Sequence, residues 1–366
     1  MNRRFSALSA LMLAFCCGAC GNNPPPAGGA GLDAGGAPSD AFTVADTEVG
    51  ADSGAGKDTS TDTVTDTVTD TDTGTDTGTD TDTGTDTVTD AAPPTDVGPS
   101  SNPPPDKWGP HVVGTRVFKW YDEVRGRAVT TRLWYPISET GGSKATYLDL
   151  VISKVQGLAI NKGSATGGPW PVVLFSHGFK GINWQSYSYT EYIASHGYVV
   201  AAPDHVGNTL FDFSVSKETE SMSAIERPKD LVFAWSELVK LNDTAGSDMY
   251  QRMDLERVAV TGHSFGGYTA IVAAGGEVDV DQAKLACKTA SNMLCKGGYM
   301  DAWPNGTTIK LDKPVPGLKA MICLAPGFDV AFGKAGMAKV KVPGLFFGGT
   351  LDDTTPVGED INPMYA

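Results

Sequence analysis

The stretch RVAVTGHSFGGYTA, Arg257 to Ala270, sets the pattern Gly-x-Ser-x-Gly between an apolar run and a run of small residues. Where a strand turns sharply into a helix, that pattern lifts the serine out of the backbone and exposes its Oγ. Ser264 is therefore a candidate nucleophile for acyl transfer, with Gly262 and Gly266 giving the turn its room. A glycine-rich helix start capped by a serine carries the same five letters, so the neighbouring elements have to decide.

Acyl transfer also needs donors for the oxyanion and an acid to orient the base. The segment FSHGFKG follows an apolar strand and puts Gly178 and Phe179 in the loop beside the turn. The backbone amides of Phe179 and Phe265 are the expected oxyanion donors. The acid of a Ser-His-Asp triad belongs at the end of a later strand, and LFFGGTLDDTTPV supplies Asp352 there, next to Asp353. Alone the pair reads as a solvated turn; in the required chain order after Ser264 it reads as the triad acid. Phe179, Trp184 and Phe328 are expected to line an apolar substrate cleft, although core packing is the commoner use of such rings.

These residues meet only if the elements bring them together. VVGTRVFKWY and RAVTTRLWYP are β-rich runs joined by DEVRG, a hairpin. PWPVVLFSHG, YVVAAPDH, RVAVTGHS, LKAMICLAPG and VPGLFFGG read as buried strands. Helices are expected over Tyr187 to Ser195, from Pro228 with Leu231, Trp235 and Leu238 on one face, and from about Gly266. Strands buried on both faces and alternating with helices predict an α/β fold, a mostly parallel sheet covered by helices on both sides.

In that layout the chain resembles the secreted α/β-hydrolases of the dienelactone hydrolase, bacterial cutinase and platelet-activating-factor acetylhydrolase group. The resemblance runs from about Val112 to Val357 and rests on FSHGF, IASHGYVVAAPDH, TGHSFGG and GGTLDDTTPV. It implies an α/β-hydrolase fold and a serine ester hydrolase acting on an apolar ester through an acyl-serine, with no cofactor or metal. The last segment resembles the cutinase-type acid loop, whose Asp precedes a proline by four residues; this selects Asp352, ahead of Pro356, over Asp353. Animal acetylhydrolases of the group place the acid after the preceding strand, where this chain has Ala325 and Pro326. Dienelactone hydrolase itself uses a cysteine where this chain has Ser264. A lipid esterase of the acetylhydrolase kind is the alternative substrate class.

The base departs from the pattern. In this fold it is a histidine after the last strand, yet none of the five histidines follows Asp352 and the sequence given ends at Ala366. His111 precedes the fold, His177 belongs to the oxyanion loop, His196 ends a helix, His205 follows a strand, and His263 adjoins Ser264 facing another way. The expectation is a C-terminally incomplete hydrolase that lacks its last strand and helix, leaves GLFFGG as a bare sheet edge, and is inactive as written. A binding or vestigial surface protein with a relic elbow is the reading from a different class.

The first hundred residues concern place and not chemistry. Arg3 and Arg4 precede the run Phe5 to Phe15, too short to span a bilayer, for which about 20 residues are needed. With Gly18 and Ala19 ahead of Cys20, residues 1–20 resemble a lipoprotein signal with Cys20 as the lipidated residue, so an exported cell-envelope lipoprotein is expected, with ordinary secretion after cleavage nearby as the alternative. In residues 21–106 sixteen Asp and Glu48 stand against Lys57, a net of −16, while the whole chain carries −15. The acidity therefore belongs to this Thr/Asp-rich stretch, expected to be a disordered tether dispensable for chemistry. The catalytic domain, 107–366, is near neutral, which argues against nucleic acid as a partner. A monomer acting on a small or polymeric ester is expected. Cys287 and Cys295 are expected to form a disulfide in the oxidising compartment, and Cys323 to be a buried thiol.

Overall fold

A computed structural model describes residues 42–46, 106–150, 153–290, 295 and 297–365. Runs of β-branched and aromatic residues build one ten-stranded sheet. Its strands are β1 (Phe42–Asp46), β2 (Val112–Asp122), β3 (Arg127–Ile137), β4 (Lys144–Leu150), β5 (Ser153–Asn161), β6 (Trp170–Ser176), β7 (Val199–Pro203), β8 (Met253–His263), β11 (Leu318–Leu324) and β12 (Gly344–Gly349). A separate short pair joins β9 (Val278–Asp279) to β10 (Thr308–Ile309). The order across the large sheet is β1-β12-β11-β8-β6-β7-β3-β2-β5-β4. From β12 to β7 every pairing is parallel, and β2 with β3 forms the expected antiparallel hairpin.

Side chains alternate across the central strands, as the period of two requires. Leu133, Tyr135, Val172, Leu174, Val199 and Ala201 enter one core, while Trp134, Val173, Phe175, Val200 and Ala202 enter the other. Helix α1 (Tyr187–Ser195) closes the second core through Ala194. Helices α2 (Lys217–Asp243), α3 (Phe265–Ala273) and α5 (Asp329–Met337) close the first. The short α4 (Val280–Ala286), a π-helical turn (Val357–Ile361) and α6 (Asn362–Tyr365) complete the helices described. Cys287 and Cys295, just beyond α4, are joined by a disulfide with their Cα atoms 5.0 Å apart, and Cys323 is a buried free thiol in β11.

Two features differ from the sequence reading. Helix α2 starts at Lys217 and not at Pro228, because Ser216 caps it by accepting the Thr219 N–H at 3.1 Å, and Glu218 and Glu220 face the positive end of its dipole. Pro228 lies inside the helix, where packing of Ala224, Leu231, Trp235 and Leu238 outweighs one lost N–H. The second difference is at the sheet edge: β12 is not bare. The segment FTVAD, from the stretch read as an unpacked tether, lies antiparallel on it, Phe42 opposite Gly349 and Asp46 opposite Leu345. An unpaired strand edge is a template for such pairing, and Phe42, Thr43 and Val44 suit a strand. The signal stretch, Cys20 and the rest of residues 21–105 lie outside the described residues.

Candidate active site

Strand β8 ends at His263 and α3 begins at Phe265, so Ser264 is the single residue of the turn between them. Its backbone has φ 54° and ψ −117°, a combination that non-glycine residues rarely adopt. Such strain costs about 1–3 kcal/mol and persists only when the surroundings over-determine it. Here the Ser264 N–H donates to the Leu324 carbonyl at 2.8 Å, and the Gly267 N–H donates to the Ser264 carbonyl at 2.8 Å. A Cβ on Gly266 would overlap the Ser176 carbonyl oxygen, and one on Gly262 would overlap that of Gly266. The two glycines are thus required by close approach of backbone to backbone.

The loop after β6 runs beside this turn. Gln185 ties the two together: its Oε1 accepts the Gly178 N–H at 2.8 Å and its Nε2 donates to His263 Nδ1 at 2.9 Å. Phe265 is the first residue of α3, so its N–H is one of the donors that a helix start leaves without an intrahelical acceptor. Phe179, Ser264, Phe265 and Phe328 line one pocket, together with Glu220, Ser221 and Ala224 of α2 and Tyr299 and Trp303. Its empty space is about 460 Å³, counted out to solvent. The Phe265 and Phe328 rings stack at 4.7 Å, and Tyr299 meets the Phe179 ring edge-on at 5.6 Å. Trp303 Nε1 donates to the Ser221 carbonyl at 2.9 Å, which pins this wall to α2.

Trp184 is not part of the pocket. It is 7% exposed and packs in the opposite core against Tyr147, ring centroids 6.1 Å apart. The bonds of the Gly178 and Gln185 loop turn the chain so that Phe179 faces the first core and Trp184 the second. The core reading of this ring, and not the substrate reading, is the correct one.

Asp352 lies after β12, half-buried, and its carboxylate accepts from Thr354 N at 2.9 Å, Thr355 N at 3.0 Å and Thr355 Oγ1 at 2.8 Å. Asp353 is exposed. The charge of Asp352 acts on His263: burial lowers the His263 pKa and Asp352 pulls it up. Because Gln185 Nε2 donates to Nδ1, the neutral His263 ring carries its proton on Nε2 and has no free nitrogen to accept one. His196 binds the Lys107 carbonyl at 3.0 Å and His111 meets Trp170 edge-on at 4.9 Å. Among the described residues no side chain hydrogen-bonds Ser264 Oγ.

A second serine, histidine and aspartate are lined up in the core, and the sequence reading missed them. Ser176 Oγ donates to His205 Nε2 at 2.9 Å, and His205 Nδ1 donates to Asp230 at 3.0 Å. All three are fully buried. Arg227 Nη2 donates to Ser176 Oγ at 3.1 Å, and burial, then the positive charges of Arg227, Arg127 and Arg125, hold the His205 pKa well below its ordinary value. Fully buried, the three groups are closed to a substrate and act as a brace between β6, the loop after β7 and α2. His177 is fixed likewise: Nδ1 donates to the Gly178 carbonyl at 2.8 Å and Nε2 accepts the His205 N–H at 3.2 Å. A sequence signal existed, since Arg227 and Asp230 fall three apart on the apolar face of a helix, where unpaired charges would be costly. Among the described residues no group of His, Cys, Asp and Glu is placed to hold a metal ion.

The strand order, the elbow at the end of β8 and helices on both faces decide the architecture. This is an α/β-hydrolase fold. A model of the Chlorophyllase family matches residues 148–290, which include the loop after β6, Arg227 and Ser264 but not Asp352. Among solved structures, a ferulic acid esterase from Streptomyces cinnamoneus is 26% identical over 44% of this chain and 54% of that one, with a TM-score of 0.37. The alignment thus spans about half of that esterase, and a superposition of this quality adds nothing to the geometry. Comparison with curated proteins gives no match. The likeness is to esterase-type hydrolases, and the subgroup within them is not fixed by it.

Proposed function

We propose that the domain is a serine carboxylic-ester hydrolase for apolar esters. The observation that carries this reading is Ser264, held in strain at the start of α3 and opening onto an aromatic pocket shared with Phe179 and Phe265. In the proposed reaction Oγ attacks the ester carbonyl, and the displaced electron pair goes to the carbonyl oxygen, where the Phe179 and Phe265 amides bind it. Collapse expels the alkoxide, which takes up the serine's proton from the base, and water repeats the sequence on the acyl-serine. Asp352 is the proposed acid that orients an imidazole between itself and Ser264. None of the five histidines has that role among the described residues, which favours a second reading, a binding domain whose elbow is a relic.

The apolar, ring-lined pocket supports an apolar ester of the cutinase or dienelactone-hydrolase kind, or a lipid ester. Export with a lipid on Cys20 belongs to the same proposal, and Cys20→Ala should free the protein from the membrane fraction if it holds. The reaction itself is tested by prolonged exposure to p-nitrophenyl butyrate followed by peptide mapping. A butyryl group on Ser264 that is lost in Ser264→Ala supports the esterase; acylation that maps elsewhere supports the relic.

A further inference from the structure

The guanidinium of Arg227 spans the two halves of the proposed oxyanion site. On the loop side its Nη2 donates to the His177 carbonyl and to Ser176 Oγ at 3.1 Å, and its Nη1 reaches the Gly178 carbonyl at 3.4 Å. These are the residues immediately before Phe179. On the helix side Nε donates to Thr269 Oγ1 at 3.1 Å, and that hydroxyl donates to the Phe265 carbonyl at 2.9 Å. Its Cζ lies 4.5 Å over the Phe265 ring. Asn208 Oδ1, at 2.7 Å from Nη1, fixes the orientation of the plane. Arg227 is fully buried and is absent from the pocket lining, so it touches neither substrate nor nucleophile.

We propose that Arg227 is a positioning residue that sets the spacing of the Phe179 and Phe265 amides, and through it the stabilisation of the oxyanion. Only a planar fork with five donors can bind two loop carbonyls, a hydroxyl on each side and an amide oxygen at once. A lysine in its place keeps the charge but reaches only part of this set. The buried Asp230, held by Arg127 at 2.8 Å and Arg125 at 2.9 Å, gives the neighbourhood a compensating negative charge and fixes His205 against Ser176. The Ser176–His205–Asp230 relay thereby becomes the support of the loop that Arg227 grips.

This inference rests on Ser264 being the nucleophile, and the test separates the two. A short alkyl trifluoromethyl ketone accepts Ser264 Oγ at its carbonyl carbon: the O–C bond forms, the carbonyl electron pair becomes an oxyanion, and the serine proton passes to solvent. The methyl ketone of equal length fills the pocket without adding. Fluorine NMR of the 366-residue chain in the presence of added imidazole should show an adduct that Ser264→Ala removes. Arg227→Lys should weaken the trifluoromethyl ketone at least tenfold while leaving the methyl ketone's affinity unchanged, and Thr269→Val, which removes only the helix-side link, should act in the same direction by a few fold. Equal losses for both ketones, or none, in either variant would overturn the positioning role with the nucleophile intact. No adduct in the unsubstituted chain, or one that survives Ser264→Ala, would overturn the nucleophile and this inference with it. Thr269→Val keeps the comparison available if Arg227→Lys does not fold.

Discussion

Ser264 has a backbone conformation suited to glycine and a side chain suited to chemistry, and the two demands oppose each other. Removing the hydroxyl and removing the strain are separable. Ser264→Ala keeps the Cβ in the strained turn, so its stability should match the unsubstituted chain, whereas Ser264→Gly should be more stable by about 1 kcal/mol in urea denaturation. Equal stability of the two would mean that the turn holds no strain. The two aspartates differ in the same measurement. Asp352 accepts three hydrogen bonds within its own loop and Asp353 is exposed, so Asp352→Ala should cost about 1–3 kcal/mol and Asp353→Ala less than about 0.5. At this scale the sequence is informative where spacing encodes geometry: Gly262, Ser264 and Gly266 stand where the turn needs them. For Arg227 it offers only the weak signal of a charge on an apolar helix face, because what a buried arginine holds is known only through partners drawn from β6, the loop at Asn208 and α3.

Among the elements, the parallel strands and the hairpin are legible from continuous apolar runs and alternating ones, and α1 from its boundaries. The pair β4 and β5 is not, since their residues alternate weakly; β5 gains its place by pairing with β2, and β4 by pairing with β5. Trp184 shows the same limit: a ring in the loop after β6 can face either core, and only the loop's hydrogen bonds decide. The pairing of β1 with β12 departs from the expectation that the whole N-terminal stretch stays unpacked. Deleting Phe42–Asp46 re-exposes the edge of the strand that leads into the Asp352 loop. The expected outcome is a melting temperature lower by about 2–4 °C for each ~1 kcal/mol lost, with faster aggregation on light scattering. Unchanged melting and scattering would show that β12 needs no partner.

At the scale of the whole molecule, two of the groups whose titration folding shifts most lie in the same buried brace. Burial, and then Arg227, hold His177 and His205 well below the ordinary imidazole pKa of 6.5, so both stay neutral when folded, whereas the unfolded chain takes up protons there. The unfolded state then binds more protons as pH falls below 6.5, and each of the two groups lowers stability as the pH drops. Asp204 acts against them: burial raises its pKa to about 6, so the folded state takes its proton first. His111, His263, Asp122 and Glu226, also held below their ordinary values, act with the two imidazoles and leave a net loss. Stability measured in urea should fall between pH 6.5 and pH 4, and His205→Gln should flatten that slope; a slope that does not respond would place the titration elsewhere.

The most direct test of the central claim, that Ser264 is a nucleophile waiting on an imidazole, is the rate at which a fluorophosphonate labels the 366-residue chain with and without added imidazole. The account predicts slow labelling that rises with imidazole concentration, maps to Ser264 and disappears in Ser264→Ala. Fast labelling without imidazole would contradict it, by showing that one of the five histidines reaches the serine. Labelling that maps elsewhere, or that imidazole leaves unchanged, would contradict it as well.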